Sequence, residues 1–401
     1  MLNPAFHSFF CVRLVILALT SLPALAAQPY LPESEATVVA VLSPSTVQLA
    51  ASVRAQRNTP SGSDSFESPA MLLRQIVASY ELAVADNSDR AYGHTLQLLS
   101  SWPVDYAWPP LLGLIKASVL QHSHEFHAAL GELARLLAVE PAHEQALTMR
   151  AQINLVVGDY DAVADDCARL LQLDFDTAGV NCQAQLAGLT GRADFALDTV
   201  EQALQDPQLT LSERVELHLT GAMVAWRLDA VDQASRHFST VLSLVPDNRY
   251  LLTNYSEWLL EQGEPEAVLN LLEAHAQLGK SFELQMIHAQ ALLEAGHLQA
   301  FAAARQAIDQ GIDAMSRRTE ERPFKLIARH ALVFQQEANL ARQAALANWE
   351  QQREPSDLWL LAQTAALDGH QPTLQLVADW IARTGLQDHR LQALLSPTGL
   401  P

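Results

Sequence analysis

Lysine is almost missing from this chain: Lys116, Lys280 and Lys325 are the only three in 401 residues. Basic residues of both kinds number 25 against 45 acidic ones, so the formal charge is −20. Nucleic acid and anionic membrane surfaces, which select a positive partner, are therefore not expected to bind. Signatures of chemistry are missing as well. There is no Gly-rich phosphate loop, no Gly-x-Ser-x-Gly elbow, no His-Glu-x-x-His and no Cys-x-x-Cys. With no catalytic, metal or cofactor motif, the expectation is a protein that is not an enzyme and carries no cofactor. Beyond the first 26 residues no apolar run approaches the ~20 residues a membrane helix needs, so no membrane insertion is expected after that point.

Those first 26 residues carry Arg13 as their one formal charge, then an apolar run Leu14–Leu22, then Pro23-Ala24-Leu25-Ala26. This is the pattern of a secretory signal, with small side chains where a signal peptidase would cut. Cleavage after Ala26 is expected, which takes the formal charge from −20 to −21 because one arginine and no acid is lost. The same stretch, extended to Ala27, reads alternatively as an uncleaved inner-membrane anchor. Either way the expected location is the periplasm. Residues 27–68 read as a tether: a β-branched run over 36–42 is followed by the polar Thr59-Pro60-Ser61-Gly62-Ser63-Asp64-Ser65.

From about Pro69 the pattern becomes helical, in segments of roughly 12–16 residues rich in Ala, Leu, Gln and Glu and separated by turns with Gly, Asp or Pro. The segments recur in pairs. Phe126 and Tyr160, Ala128 and Ala162, and Glu140 and Asp174 are each 34 residues apart. That period, with Gly158-Asp159-Tyr160-Asp161-Ala162 at a turn and Ala222, Ala234, Phe238 and Val241 in packing columns, resembles the tetratricopeptide repeat (TPR) family. The resemblance covers about Pro69 to Leu395 and is strongest from Trp108 to Asn248. It implies an all-α solenoid over 69–396, of about eight helix-turn-helix units forming a right-handed superhelix, with a short tail at 397–401. Each unit alone leaves an apolar face uncovered, so neighbouring units must stack.

In the TPR family the first helix of each unit faces the concave surface, where a peptide or partner helix can lie. Carried over by position, the resemblance places Leu114, Ser118 and Gln121 inward in one unit and Thr148, Gln152 and Leu155 in the next. Leu219, Met223, Trp226 and Arg227 follow, then Thr253, Glu257 and Glu261, then Met286, Gln290 and Glu294. Trp226 beside Arg227 stands out, since aromatic and Arg side chains dominate interface energetics; packing between repeats is the alternative reading. The Lys, Asn and Arg set with which some TPR domains grip the acidic tail of heat-shock chaperones is not assembled at these positions. The implied function is a periplasmic scaffold or adaptor for envelope assembly or export, holding a neutral or basic protein or peptide. The alternative is a metal- or small-ligand-binding periplasmic protein using His122, His124 and His127, although the repeat pattern puts those residues in an inter-helix turn. Cys167 and Cys182, the two cysteines left after processing, fall in the same pattern on adjacent antiparallel helices. A bridge closing a loop of about 15 residues and a pair of buried thiols are both open.

Overall fold

The computed structural model describes residues 68–86, 89–275, 281–316 and 323–396. The expected signal, nearly all of the tether and the tail lie outside them. From Leu73 onward the described residues belong to one compact unit. Among the described residues every regular element is helical.

Among the described residues nineteen α-helices form nine antiparallel pairs and a single terminal helix, against the about eight units expected. The pairs are α1 (Pro69–Asp86) with α2 (Asp89–Ser100), α3 (Pro110–His122) with α4 (Phe126–Val139), and α5 (Glu144–Val157) with α6 (Tyr160–Gln172). There follow α7 (Asp176–Leu189) with α8 (Ala193–Ala203), α9 (Leu211–Arg227) with α10 (Val231–Leu244), and α11 (Arg249–Glu261) with α12 (Pro265–Ala274). The last are α13 (Phe282–Glu294) with α14 (Leu298–Ser316), α15 (Phe324–His330) with α16 (Ala338–Gln351), α17 (Pro355–Leu367) with α18 (Gln371–Thr384), and the lone α19 (His389–Leu395). The region that departs from the regular pattern is that of α14, 19 residues long, and α15, which runs on into a π-helical turn at Ala331–Gln335.

The two helices of a pair differ in how much of their circumference is apolar. The second helix has one stripe: in α10 it is Ala234, His237, Phe238 and Val241, at helical spacing, and these are the residues it buries. The first helix is covered on nearly every side, as α9 shows by burying Leu217, Leu219, Ala222, Val224, Ala225 and Trp226 among others. First helices thus form an inner layer and second helices an outer one. Ala222 and Ala234 are fully buried where α9 and α10 approach, and Phe126 and Phe238, 4% and 0% exposed, fill the wedges between units. Burying a side chain of that size is worth about 1.5–3 kcal/mol.

The turn inside each pair from α3 onward carries one residue in the left-handed region. Glycine takes it at Gly158, Gly191, Gly263, Gly296 and Gly369, while His124, Asp229 and Gln336 take it elsewhere. This residue ends the first helix by folding the chain back on its last carbonyls, as Gly158 does through its N–H to Asn154 O. Cys167 and Cys182 join α6 to α7 in a disulfide, with Cα atoms 5.4 Å apart.

The solenoid does not remain open. Its last turns return to pack on units more than 150 residues earlier in the chain. The Arg353 N–H donates to Val156 O at 2.7 Å, and the Ala193 N–H to Gln387 Oε1 at 2.9 Å. Trp380 sits against Gly158 so closely that a Cβ there would lie 2.6 Å from the indole. Gly191 and Gly385, both left-handed, meet backbone to backbone; a Cβ on Gly191 would stand 3.1 Å from Gly385 O. An apolar cluster of Leu189, Trp349, Leu361, Val377, Trp380 and Leu386 covers the seam. First helices from α5 to α17 therefore surround a lumen.

Candidate functional site in the closed lumen

The wall is built by the inner layer. Gln152, Leu155 and Val156 come from α5, Gln185 and Leu189 from α7, and Leu219, Thr220, Met223, Val224, Trp226 and Arg227 from α9. The rest of the wall is Tyr250, Thr253, Asn254 and Glu257 of α11, Glu283 of α13, Lys325 of α15, Glu354 to Ser356 at the start of α17, and Arg390 of α19. The space they enclose is about 170 Å³. A second space of about 320 Å³ shares Trp226, Glu257, Glu283, Lys325, Ser356 and Arg390 with it and extends to Glu261, Gln290, Glu294, Arg329, Trp359 and Gln363.

Of the residues implied from sequence, Gln152, Met223, Trp226, Arg227 and Glu257 line the first space, and Glu261 and Gln290 the second. Five do not reach the lumen and are held in packing instead, Gln121 among them at 2% exposed. Leu114 is 7% exposed within the cluster of α3 to α7. Ser118 is 1% exposed and its Oγ lies 2.8 Å from Tyr80 Oη of α1. Thr148 turns its hydroxyl back to Glu144 O at 3.0 Å, and Met286 is covered by Ile308, Ile312, Leu326 and Phe334. Met286 is buried by the long α14 and by α15 with its π-helical turn, in the irregular part of the array.

Most lumen charges have partners. Arg390 lies against Asp388 through two hydrogen bonds of 2.9 and 2.6 Å, stacks over Trp226 with 4.7 Å to the ring, and reaches Glu261 at 3.4 Å. Burial opposes its charge, but Asp388 and Glu261 outweigh burial and raise its pKa. Trp226 donates from Nε1 to Glu261 Oε2 at 3.0 Å. Glu257 is paired with Arg329, whose other amino group donates to Gln290 Oε1 at 3.1 Å. The Lys325 ammonium meets Asp357 at 3.1 Å and donates to Ser356 Oγ at 3.0 Å. Burial works against that ammonium, yet Asp357, Glu354, Glu283 and Glu257 together hold it above the ordinary lysine range. Glu354 closes a capping box with Asp357 at the N-terminus of α17. Its carboxyl is pushed up by burial and by Asp357, against Lys325.

Arg227 is the exception. It is 5% exposed and makes one side-chain hydrogen bond, from Nη2 to Gly188 O at 3.1 Å, in the last turn of α7. Its Nε is buried with no partner, and no carboxylate lies within ion-pair distance among the described residues. Burial lowers its pKa to about 10, with Asp388 acting in the opposite direction. Glu283 is likewise without an ion pair on the lumen wall, and Thr253 Oγ1 is buried without a partner. The sequence pointed to Arg227 by its neighbour Trp226. It gave no sign of Lys325, Glu354 or Arg390, which enter the lumen from outside the regular units.

The histidine turn is arranged for packing. The ring of His122 stacks on Tyr92 with 3.8 Å between centroids, and His124, the left-handed turn residue, lies edge-on to Phe126. Burial lowers the His124 pKa to about 3. Among the described residues no three His, Cys, Asp or Glu side chains are grouped so as to hold a metal ion, and no helix is long and apolar enough to cross a membrane.

Pairs of antiparallel helices, a left-handed residue at each inner turn from α3 onward and first helices facing a lumen decide the architecture. The chain is a TPR-like α-solenoid. No family model matches it, and no curated protein does. Solved structures similar to this solenoid include a tetratricopeptide repeat protein from Parabacteroides merdae, 12% identical, with 74% of this chain and 99% of that one covered and a TM-score of 0.37. The human IFIT1 dimer with m7Gppp-AAAA is also similar, at 12% identity, 84% and 85% coverage and a TM-score of 0.45. So is PilW, a type IV pilus biogenesis factor, at 17% identity, 51% and 91% coverage and 0.28.

Proposed function

We propose that this TPR-like solenoid is a non-catalytic binding scaffold, exported to the periplasm, that holds a segment of a partner protein in its lumen for envelope assembly or export. The observation that carries the reading is the wall itself: first helices of successive units direct Gln152, Trp226, Glu257, Glu261 and Gln290 toward one enclosed surface. Structural packing alone would fill such a space with apolar side chains. The wider part of the lumen holds Glu257, Glu261, Glu283 and Glu294 against Lys325, Arg329 and Arg390. Acids exceed bases there, as in the whole chain, which suits a neutral or basic segment and opposes an acidic one. Export rests on the signal-like first 26 residues.

A photo-crosslinking side chain placed at Gln363, on the lumen wall, should capture a defined envelope protein in intact cells. The same group at the exposed Leu367 on α17 should not. Equal capture from both positions, or none from the lumen, would remove the partner-binding reading. Trapping of the chain in the cytoplasm would remove the export.

A further inference from the structure

Subtracting the paired charges from the inner, 170 Å³ part of the lumen leaves Arg227 and Glu283, together with the partly buried Glu354. A buried guanidinium that uses one N–H of five is costly to keep, because an uncompensated charge in a desolvated place is destabilising. The single bond to Gly188 O accounts for one edge of Arg227 and leaves Nε unsatisfied. Across the cavity the sign reverses. Lys325 is outnumbered by Asp357, Glu354, Glu283 and Glu257, the carboxylates that raise its pKa. Much of the remaining lining is apolar, with Leu155, Val156, Leu189, Leu219, Met223 and Val224 beside the uncharged polar Gln152, Gln185, Thr220 and Asn254.

An anion alone would satisfy Arg227 and meet excess carboxylate on the far side. A cation alone would do the reverse. We infer that the inner lumen is a binding site for a small apolar zwitterion, an α-amino acid or short peptide with free ends, whose carboxylate is held by Arg227 and whose ammonium faces Glu283 and Glu354. The apolar lining takes the side chain. The volume favours such a size, since pockets that bury drug-sized molecules run to ~300–1,000 Å³. The two sources share one chemistry, a carboxylate and an ammonium on an apolar body. The site adjoins the wider part of the lumen, where partner capture is read, and shares Glu283 with it.

The test uses the full chain and four probes: leucine, trileucine, N-acetyl-leucine and leucinamide, followed by calorimetry and by thermal unfolding at pH 7. Either or both uncapped probes should bind and raise Tm with the logarithm of ligand concentration over Kd once that ratio is well above one. Leucine without trileucine assigns the free amino acid, and the converse assigns the peptide. Capping either end should weaken binding at least about tenfold, the loss of roughly one ionic contact. Arg227→Met should abolish binding while the empty protein unfolds at the same temperature or higher, because the unbranched apolar chain removes an unpaired buried charge. A purely structural arginine would instead give a lower Tm. Glu283→Gln, at a partly exposed position, should fold normally and bind at least about tenfold more weakly. Equal binding of capped and uncapped probes, or no heat and no Tm shift with any of them, overturns the inference. Capture of a partner from Gln363 would survive that failure, so the two readings fall separately.

Discussion

Helices α3 to α6 and helices α16 to α19 are built from the same unit but live under different constraints. In the first stretch the core is built from neighbour to neighbour along the stack: Phe126, Leu133 and Leu137 pack with Leu147, Ile153 and Val163 in a continuous cluster. In the second, Trp380 packs at once on Trp349 of its own stretch, 4.9 Å away, and on Tyr160 of α6, 6.1 Å away. Nearest-neighbour stacking makes an open solenoid stable in proportion to its length. Contacts made across the seam add a term that no single unit owns, and they determine that there is a lumen at all.

Breaking the seam should therefore differ in kind from breaking a unit. Trp380→Ala should cost about 3–5 kcal/mol, as large-to-small changes at buried aromatics do. Phe126→Ala should cost a similar amount. Only Trp380→Ala should also speed exchange of the Arg353 amide, whose acceptor is Val156 O across the seam. Similar exchange in both variants would refute the distinction.

Removing the Cys167–Cys182 bridge ranks next, at about 3 kcal/mol for a loop of this size. Because it joins adjacent helices, the loss should appear in denaturant unfolding while the Arg353 amide stays protected.

Two glycines isolate the seam more finely. Gly191 and Gly263 have φ of 77° and 75°, but a Cβ on Gly263 would meet open space and one on Gly191 would meet Gly385. Gly263→Ala should cost only the left-handed backbone term, about 1 kcal/mol. Gly191→Ala should exceed it, and the excess measures the backbone contact that closes the ring. Equal losses from both would mean that the contact contributes nothing.

A pH dependence belongs to neither region. His218 Nδ1 lies 2.9 Å from His237 Nδ1, and burial lowers the His218 pKa to about 4. Unfolded, it would titrate near 6.5. Between these values the unfolded chain binds more protons, so stability falls as pH drops from about 6.5 through about 4. His218→Gln should make that decline shallower when urea midpoints at pH 7 and pH 5 are compared; an unchanged slope would remove His218 as its source.

What sequence could and could not tell follows from the range of each interaction. The spacing of Phe126 and Tyr160 exposes the repeat because packing columns must recur along one helix face. The inner turns were legible where the left-handed residue is glycine, and hidden at Asp229 and Gln336. His122, His124 and His127 looked like ligands only because chemistry and turn formation draw on the same polar residues. The seam had no periodic signature. It is made by single residues such as Arg353, Trp380 and Gln387, whose partners are nearly 200 positions away or more. For the same reason the sequence offered inward positions in α3 and α13 that the structure fills with packing, and it passed over Lys325 and Arg390.

A ring of repeats obeys an arithmetic that a rod of repeats escapes. An open array can gain or lose a unit and remain a slightly longer or shorter version of itself. Here the turn at Gly385 must arrive opposite the turn at Gly191, and the Arg353 N–H opposite Val156 O. Duplicating one helix pair between them would carry α18 past its landing place by a whole unit, leaving Trp380 over the wrong turn. The number of units between α5 and α18 is thus a quantised property of the fold. Descendants of this chain can vary in residues and in loop lengths, but the circumference can change only by rebuilding the seam.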